Sequence, residues 1–371
     1  MMLLLWACRV TPTPEEAGPV LPFPTVSAEP ENSEPSDPSE ETGDNLTVHF
    51  IDVGQGDATL LVCGEDAMLI DGGNNTKGTA LQKYLAEQSI TTLTYVVATH
   101  PDADHIGGLD VIVYKFDCEN IWMPELTSDT ASYEELQNAL WEKNYTAVQP
   151  KVGETFTLGS ACVTVLSPEG THDNSNDYSI ALLVTHGKNR FLFTGDLSAK
   201  AEEKLVSDGL IPDVDVYKAG HHGSSHSNSG ALLDAAKPEY AVVSCGLYNK
   251  HGHPHAEVTE ALAERDILLY RTDLQGTVVA VSDAETIVFQ QAPTMDYASG
   301  RELKTRQEDA LNRGIGDGNG ITYVLNNNSM RFHLPDCPAV TDMAQDNRQD
   351  TDVDRDTLTE LGYKPCGWCE P

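Results

Sequence analysis

Residues 99–108 read Thr-His-Pro-Asp-Ala-Asp-His-Ile-Gly-Gly, and His100, Asp102, Asp104 and His105 form the densest group of metal-ligand side chains in the chain. They follow directly on the apolar, strand-like run Leu93 to Ala98. Imidazoles and carboxylates alternating over so short a stretch at a strand end project into one cup. Such a cup can hold two divalent ions close together only if the strand beneath it is rigid. A chain of 371 residues with 40% hydrophobic content can bury a core large enough to supply that strand, with a small satellite unit beside it.

From Leu46 to about Gln290 short β-branched runs alternate with amphipathic stretches. The periodicities predict strands over 47–53, 58–62, 67–71, 93–98, 162–166, 180–185, 190–194, 214–218, 240–244, 267–270, 277–281 and 286–289, and helices over 78–88, 131–143, 198–207 and 255–264. Strands that follow one another as hairpins, mixed with strands separated by helices, imply mixed sheets with helices outside. Residues 291–320 are polar and end in Gly-Ile-Gly-Asp-Gly-Asn-Gly, which reads as a linker. A second unit is expected over 321–371.

The chain starts Met-Met-Leu-Leu-Leu-Trp-Ala-Cys, and residues 1–8 resemble the end of a bacterial lipoprotein signal, with Cys8 as the residue to be lipidated. Residues 9–45 hold eight prolines and nine acidic residues against one base, Arg9, the composition of a disordered tether. Together they predict a domain held off the outer face of a bacterial membrane by a lipid anchor. The net charge of −35 opposes generic attraction to polyanions, so an anionic substrate needs a local positive centre, which bound metal supplies. Cys63, Cys118, Cys162 and Cys245 lie singly in apolar surroundings and read as buried thiols, a disulfide being the other possibility.

The first cluster has partners downstream, each after a strand: Thr194-Gly195-Asp196 and Gly220-His221-His222-Gly223. In this order, His-Pro-Asp-Ala-Asp-His-Ile-Gly-Gly, Thr-Gly-Asp and His-His-Gly-Ser resemble the metallo-β-lactamase superfamily. Asp52-Val-Gly-Gln-Gly-Asp-Ala58, Leu69-Ile-Asp-Gly-Gly73, Asn176-Asp-Tyr-Ser179 and Gly252-His-Pro254 narrow the resemblance to its ComEC-like branch, which includes the soluble domain of the competence DNA-uptake channel, over residues 46–290. The resemblance implies an α/β fold, an αββα sandwich with two metals at one edge. His100 and Asp102 would bind one ion, Asp104, His105 and His222 the other, and Asp196 would bridge them; His221 would face substrate or serve as an alternative ligand. Asp102 stands where the superfamily commonly has histidine, which shifts preference from zinc toward manganese or magnesium without excluding zinc. For the further histidine expected before the Asp196 strand, Asn176 or an open position is the preferred reading, with His172 the nearest histidine as the alternative. Metal-assisted hydrolysis follows from such a site. Asp57 and Asp71, in glycine-bounded turns, suit the orientation of ligand histidines, with turn capping as the alternative. His221 and His253 are expected to handle the leaving-group proton, Asp104 to belong to the catalytic centre, and Lys218 to meet a phosphate.

In the second unit His333-x₃-Cys337 and Cys366-x₂-Cys369 have the spacing of two zinc knuckles. The stretch resembles the N-terminal metal module of the Ada DNA-repair protein, with His333 in place of the methyl-accepting cysteine, so one structural zinc is implied and methyl transfer is not; a disulfide among these cysteines is the alternative in an oxidising compartment. The run Asp350 to Asp356 approaches a calcium loop, but Arg355 takes the glycine position and Leu361 that of the bidentate glutamate, which leaves a solvated acidic face. The expected protein is a monomeric, surface-tethered phosphodiesterase or nuclease acting on a phosphoester substrate, DNA foremost. Another ester hydrolase such as a phosphorylcholine esterase, or a non-catalytic DNA-uptake accessory, are the alternatives.

Overall fold

Continuous apolar runs such as Thr59–Cys63 and Asn189–Phe193 form strands covered on both faces. Two sheets result. The larger runs, in spatial order, Ile287–Phe289, Val278–Ser282, Leu46–Phe50, Thr59–Cys63, Asp66–Ile70, Thr92–Val97, Asp117–Trp122 and Ala147–Val148. The smaller runs Leu268–Arg271, Tyr240–Val243, Val216–Lys218, Asn189–Phe193, Leu182–His186, Ala161–Val165 and Thr155–Leu158. This computed structural model describes residues 44–312 and 322–371, all of which fall in one compact unit. The lipobox at 1–8, the tether up to residue 43 and the linker residues 313–320 lie outside the described residues.

Between the sheets lie Phe50, Met68, Val97, Val163, Val184, Phe191 and Phe193 among others, all buried, with Phe50 stacked on Phe193 at 6.2 Å between centroids. The outer face of the larger sheet packs on helices Gly78–Glu87, Leu109–Lys115 and Ala131–Lys143, and that of the smaller on Ala199–Ser207, Gly230–Ala236 and Ala256–Ala263. The architecture is αββα. Asp66–Ile70, Thr92–Val97 and Asp117–Trp122 pair in parallel, as do the four strands from Asn189–Phe193 to Leu268–Arg271. Their carboxyl ends bring the loops after them to one edge, where open α/β sheets place ligands.

Asp117–Trp122 escaped the sequence reading because only Cys118, Ile121 and Trp122 are buried in it; it is strand because Thr92–Val97 pairs with it along its length. The segment read as a linker is a correction. Residues 291–312 dock on the smaller sheet: Thr294 bridges Leu269, the Gln275 amide donates to the Ala292 carbonyl at 2.8 Å, and Tyr297 Oη donates to the Ile267 carbonyl at 2.8 Å. The buried Arg271 guanidinium grips Asp273 at 2.9 and 2.7 Å and donates to the Ala298 carbonyl. Gly300–Asn312 is then a helix, capped reciprocally by Ser299 and Glu302. The attachment combines these hydrogen bonds with a few apolar side chains, Tyr297, Ala298, Leu303 and Leu311, too sparse in the sequence for hydropathy to reveal it.

The C-terminal unit is a four-stranded sheet, Arg348–Thr351, Tyr323–Asn326, Arg331–His333 and Lys364–Pro365, whose core of Leu325, Phe332, Val353, Leu358 and Tyr363 includes Leu311 of the preceding helix. No helix among the described residues is long and apolar enough to cross a membrane.

Removing one partner from a buried ion pair strands the other charge, which costs about 3–5 kcal/mol. Asp273→Ala is expected to lower the urea midpoint accordingly and to open residues 291–300 to limited proteolysis. An unchanged midpoint would contradict the role given to Arg271.

Candidate metal centre

Four loops build the cup. The Thr92–Val97 strand ends in Thr99, and a short helix, Ala103–Ile106, carries Asp104 and His105. Its Gly107 and Gly108 let it lie against the Gly72–Asn75 turn: a Cβ on Gly107 would come within 2.4 Å of the Asn75 nitrogen, and one on Gly108 within 2.3 Å of the Gly72 carbonyl oxygen. Asp196 follows the Asn189–Phe193 strand. His221 and His222 follow Val216–Lys218 in two successive left-handed conformations, φ 50° and 54°. Non-glycine residues rarely adopt that backbone, and it persists where surrounding contacts over-determine it.

Those contacts come from residues the sequence did not single out. Asn228 accepts from the Gly220 amide at 3.0 Å and donates to the carbonyls of Gly220 and Ser224, each at 2.9 Å. Its own amide and that of Ser229 donate to the buried Glu202 carboxylate, at 2.8 and 2.6 Å. Burial pushes Glu202 up to about 7, against the lowering effect of those amides. No local pattern marks Asn228 or Glu202 as part of a site.

Three imidazoles face inward. His100, His105 and His222 are fully or nearly fully buried, and the Nε2 atom of each, with Asp196 Oδ1, is buried without a hydrogen-bond partner among the described residues. His105 Nε2 lies 3.2 Å from Asp196 Oδ1, His222 Nε2 3.4 Å from Asp104 Oδ2, and His100 Nε2 3.8 Å from both Asp196 Oδ2 and Asp102 Oδ2. His221, a quarter exposed, has its Nε2 3.5 Å from Asp196 Oδ2. Buried polar atoms left unpaired at such separations form a donor set that could hold divalent cations. Groups of these residues, His100 with His105 and Asp196, and His105 with His222 and Asp57, have the reach to hold metal.

Behind the imidazoles stand two buried aspartates. Asp71 accepts from His105 Nδ1 at 2.7 Å, from the Thr99 amide at 2.8 Å and from Thr99 Oγ1 at 2.7 Å. Asp57 accepts from His222 Nδ1 at 3.1 Å, and Ser244 O lies at 3.1 Å from the same nitrogen. A proton held at Nδ1 leaves Nε2 as the ligand atom. Ser179 Oγ takes the Asp196 amide at 3.0 Å and lies 3.4 Å from His100 Nδ1, which is what the Asn176–Ser179 motif contributes. Burial opposes charge on all of these groups, yet His105 rises well above its ordinary value and His222 is pushed up to about 10 by Asp57, Asp196 and their neighbours, while for His100 burial and His105 prevail and the ring stays low. Asp196 and Asp104 are held well below the usual carboxylate range by the histidines despite burial.

One expectation is corrected. Lys218 does not face a phosphate site: it is buried, with Nζ donating to Asp57 at 2.8 Å and to the Ala219 carbonyl at 2.9 Å, and together with His222 it holds Asp57 low against burial. His253 is 5% exposed beside His221 and His222. Burial and the surrounding histidines depress it to about 3, and burial lowers the neighbouring His221 in the same direction. His172 packs on Tyr178, while the Asn176 amide lies 3.5 Å from His221 Nδ1, so Asn176 occupies the cup side of that loop.

At the far end of the chain His333, Cys337, Cys366 and Cys369 converge with all donor atoms within 4.8 Å of one another. Both ring nitrogens of the buried His333 lack partners among the described residues, and Cys337 Sγ lies 3.9 Å from Cys366 Sγ, within sulfur hydrogen-bond reach and not joined as a disulfide. Amides of Trp368 and Leu334 donate to Cys366 and Cys369 sulfur at 3.4 Å each. Three sulfurs and one imidazole could hold a tetrahedral zinc.

Losing a residue that orients a ligand costs roughly 10- to 100-fold in metal affinity. Asn228→Ala should weaken metal binding at the cup by that factor in a chelator competition, with the C-terminal site unaffected. Cys366→Ser should remove one equivalent of zinc by elemental analysis and leave the cup loaded; unchanged zinc content would exclude the cysteine site.

Residues 51–247, more than half of the chain, match the Metallo-beta-lactamase superfamily. Relatives include ComE operon protein 3 of Bacillus subtilis, 27% identical over 62% of this chain and 32% of its own length, and Recombination protein 2 of Haemophilus influenzae, 29% identical over 67% and 30%. Competence protein ComA of Neisseria gonorrhoeae is 33% identical over 61% of this chain and 31% of its own length. The aligned part thus spans about a third of each of these relatives. A cup of inward-facing Nε2 atoms at the edge of an αββα sandwich, in a chain that matches this family across the segments that build it, leads to one conclusion: the protein belongs to the metallo-β-lactamase superfamily of metal-dependent hydrolases, with ComEC-like competence proteins among its homologues.

Proposed function

We propose that the protein is a two-metal phosphodiesterase that cleaves DNA outside the cell, held at the membrane surface by its N-terminal lipid anchor. The observation that carries this reading is the convergence of three unpartnered Nε2 atoms and two carboxylates on Asp196. His100 and Asp102 would hold one ion, and Asp104, His105 and His222 the other, with Asp196 between them. Two bound dications would supply a water ionised at neutral pH and positive charge against the phosphoryl oxygens. Three carboxylates against two dications leave the cup at roughly +1 before that water ionises, an anion site within an acidic protein.

The rest falls to the chain's own groups. Asp57 and Asp71 fix the tautomers of His222 and His105. His221, partly exposed beside Asp196, and His253 packed on it are placed to handle the proton of a leaving oxygen. Homology to proteins named for competence and recombination supports DNA as substrate.

A second reading, hydrolysis of a smaller phosphoester, has its own support. The cavity of about 550 Å³ beside Asp102 is bordered by Asp129 and Asp173 and contains no lysine or arginine, which suits a neutral or cationic substituent better than further phosphates.

The test is an activity panel with manganese or zinc on double-stranded DNA, single-stranded DNA and p-nitrophenyl phosphodiesters. Asp196→Ala and Asp104→Ala should each lower cleavage by more than the roughly 100-fold that a supporting residue is worth. Hydrolysis of small esters alone would replace the nuclease reading with the second. Full activity in Asp104→Ala would end the two-metal mechanism.

A further inference from the structure

The rim of the cup that carries His253 is held from outside the hydrolase sheets. The loop from Gly246 to Pro254 includes Tyr248 at φ 55° and Gly252 at φ 77°, and within itself it is tied by Asn249, which donates to the carbonyls of Gly246 and His253 at 2.8 and 2.6 Å and accepts from the amides of His251 and His253. Left-handed backbone of this kind persists where more than one neighbour fixes it. Here two do.

The first is the start of the helix Gly300–Asn312. The Gly300 amide donates to the Pro254 carbonyl at 2.8 Å, and a Cβ on Gly300 would sit 2.1 Å from the His253 carbonyl oxygen, so the helix end lies directly on the residue at the rim. Further along, this helix buries Leu303, Gln307 and Leu311, a stripe at four-residue spacing. Gln307 donates to Tyr363 Oη at 2.9 Å, and Leu311 enters the core of the C-terminal unit.

The second neighbour is the C-terminal unit itself. Tyr248 Oη donates to the Leu361 carbonyl at 2.8 Å, and Gly362 lies so close to Leu247 that a Cβ there would meet Cδ2 at 2.6 Å. Leu361 and Gly362 lead straight into Lys364–Pro365, which pairs with the Arg331–His333 strand, and then into Cys366. One segment therefore touches the rim at one end and carries metal-ligand cysteines at the other. The unit buries few apolar side chains, so a bound metal would provide much of its rigidity.

We propose that the C-terminal module is a strut for the rim of the hydrolase site: through Leu361 and Gly362 on Leu247 and Tyr248, and through Gly300 on His253 and Pro254, it positions the 246–254 loop, and metal at His333, Cys337, Cys366 and Cys369 tightens it. Tyr248 is a positioning residue. The catalytic consequence rests on the phosphodiesterase reading; the coupling between module and loop does not.

Hydrogen exchange read by mass spectrometry on the full-length, metal-loaded chain tests it. In Cys366→Ser/Cys369→Ser, and in Tyr248→Phe with its zinc retained, amides of 246–254 should exchange at least about fivefold faster, the factor one net hydrogen bond is worth. Segment 99–108 should be unchanged, and the cup should keep its metal. If the double cysteine variant unfolds the module, faster exchange in the loop is still required, and Tyr248→Phe decides the matter without touching a ligand. On a phosphodiester substrate, kcat per metal-loaded site should fall in both variants, whereas a role in folding alone would reduce only the amount of active protein. Loop exchange at the wild-type rate in both variants overturns the proposal. A wild-type protein that cleaves no phosphodiester but shows the faster loop exchange in the variants would overturn the function and leave the strut standing.

Discussion

A buried carboxylate surrounded by imidazoles is the constraint on which the site depends. Asp196 is 3% exposed, and taking an ionised carboxylate out of water costs several kcal/mol unless cations and hydrogen bonds replace the lost hydration. The lysine nearest in depth, Lys218, gives its charge to Asp57. His105 and His222 can carry compensating protons, and the carboxylates of Asp196, Asp71 and Asp57 raise both against burial. Divalent ions would answer the same demand more completely, because the carboxylates and the three Nε2 atoms could hold them together, at the expense of those protons.

The layer behind the ligands decides which atom of each ring meets the metal. Asp71 and Thr99 fix His105, Asp57 and Ser244 fix His222, and Thr99 and Ser179 fix His100. These supports come from different loops of both sheets. The strained turn at His221 and His222 is therefore held by the packing of the whole edge, with Asn228 and Glu202 as its far anchor. Small changes in that layer act on metal geometry without touching a ligand.

How far the site is legible in the sequence follows from this layering. Ligand residues must be of particular chemical types and must sit where strands end, so His100, Asp102, Asp104, His105, Asp196 and His222 stand out even when a hundred residues separate them. Their supports carry no such mark: an asparagine in Ser-Asn-Ser or a glutamate on an amphipathic helix looks like any surface residue. Lys218 was misread for the same reason, since Val-Tyr-Lys at a strand end does not reveal that Asp57, 161 residues earlier, closes over it. The sandwich follows from apolar runs covered on both faces. Asp117–Trp122 and the docked segment 291–312 are held by pairing and by Arg271, interactions that depend on a partner already in place and leave little hydrophobic signature.

Charge adds a last constraint on recognition. With a net charge of −35 the protein repels a polyanion at long range, but at physiological ionic strength that field decays over about 8 Å. Inside that distance the proposed pair of dications would govern. Substrate would then be selected by contact with the cup and its rim rather than by steering, and the two sides of the rim are unequal. One is the acidic cavity at Asp102; the other is the histidine-bearing loop, whose set is imposed by a module that contributes no residue to the cup. A polymer could be accepted only in an orientation that keeps its remaining phosphates off the acidic side, and the loop at His253 defines what is left of the opening. Holding that loop in place is thus part of specificity, which gives physical meaning to a small metal-ligand module packed against a hydrolase that already holds its own metal ligands.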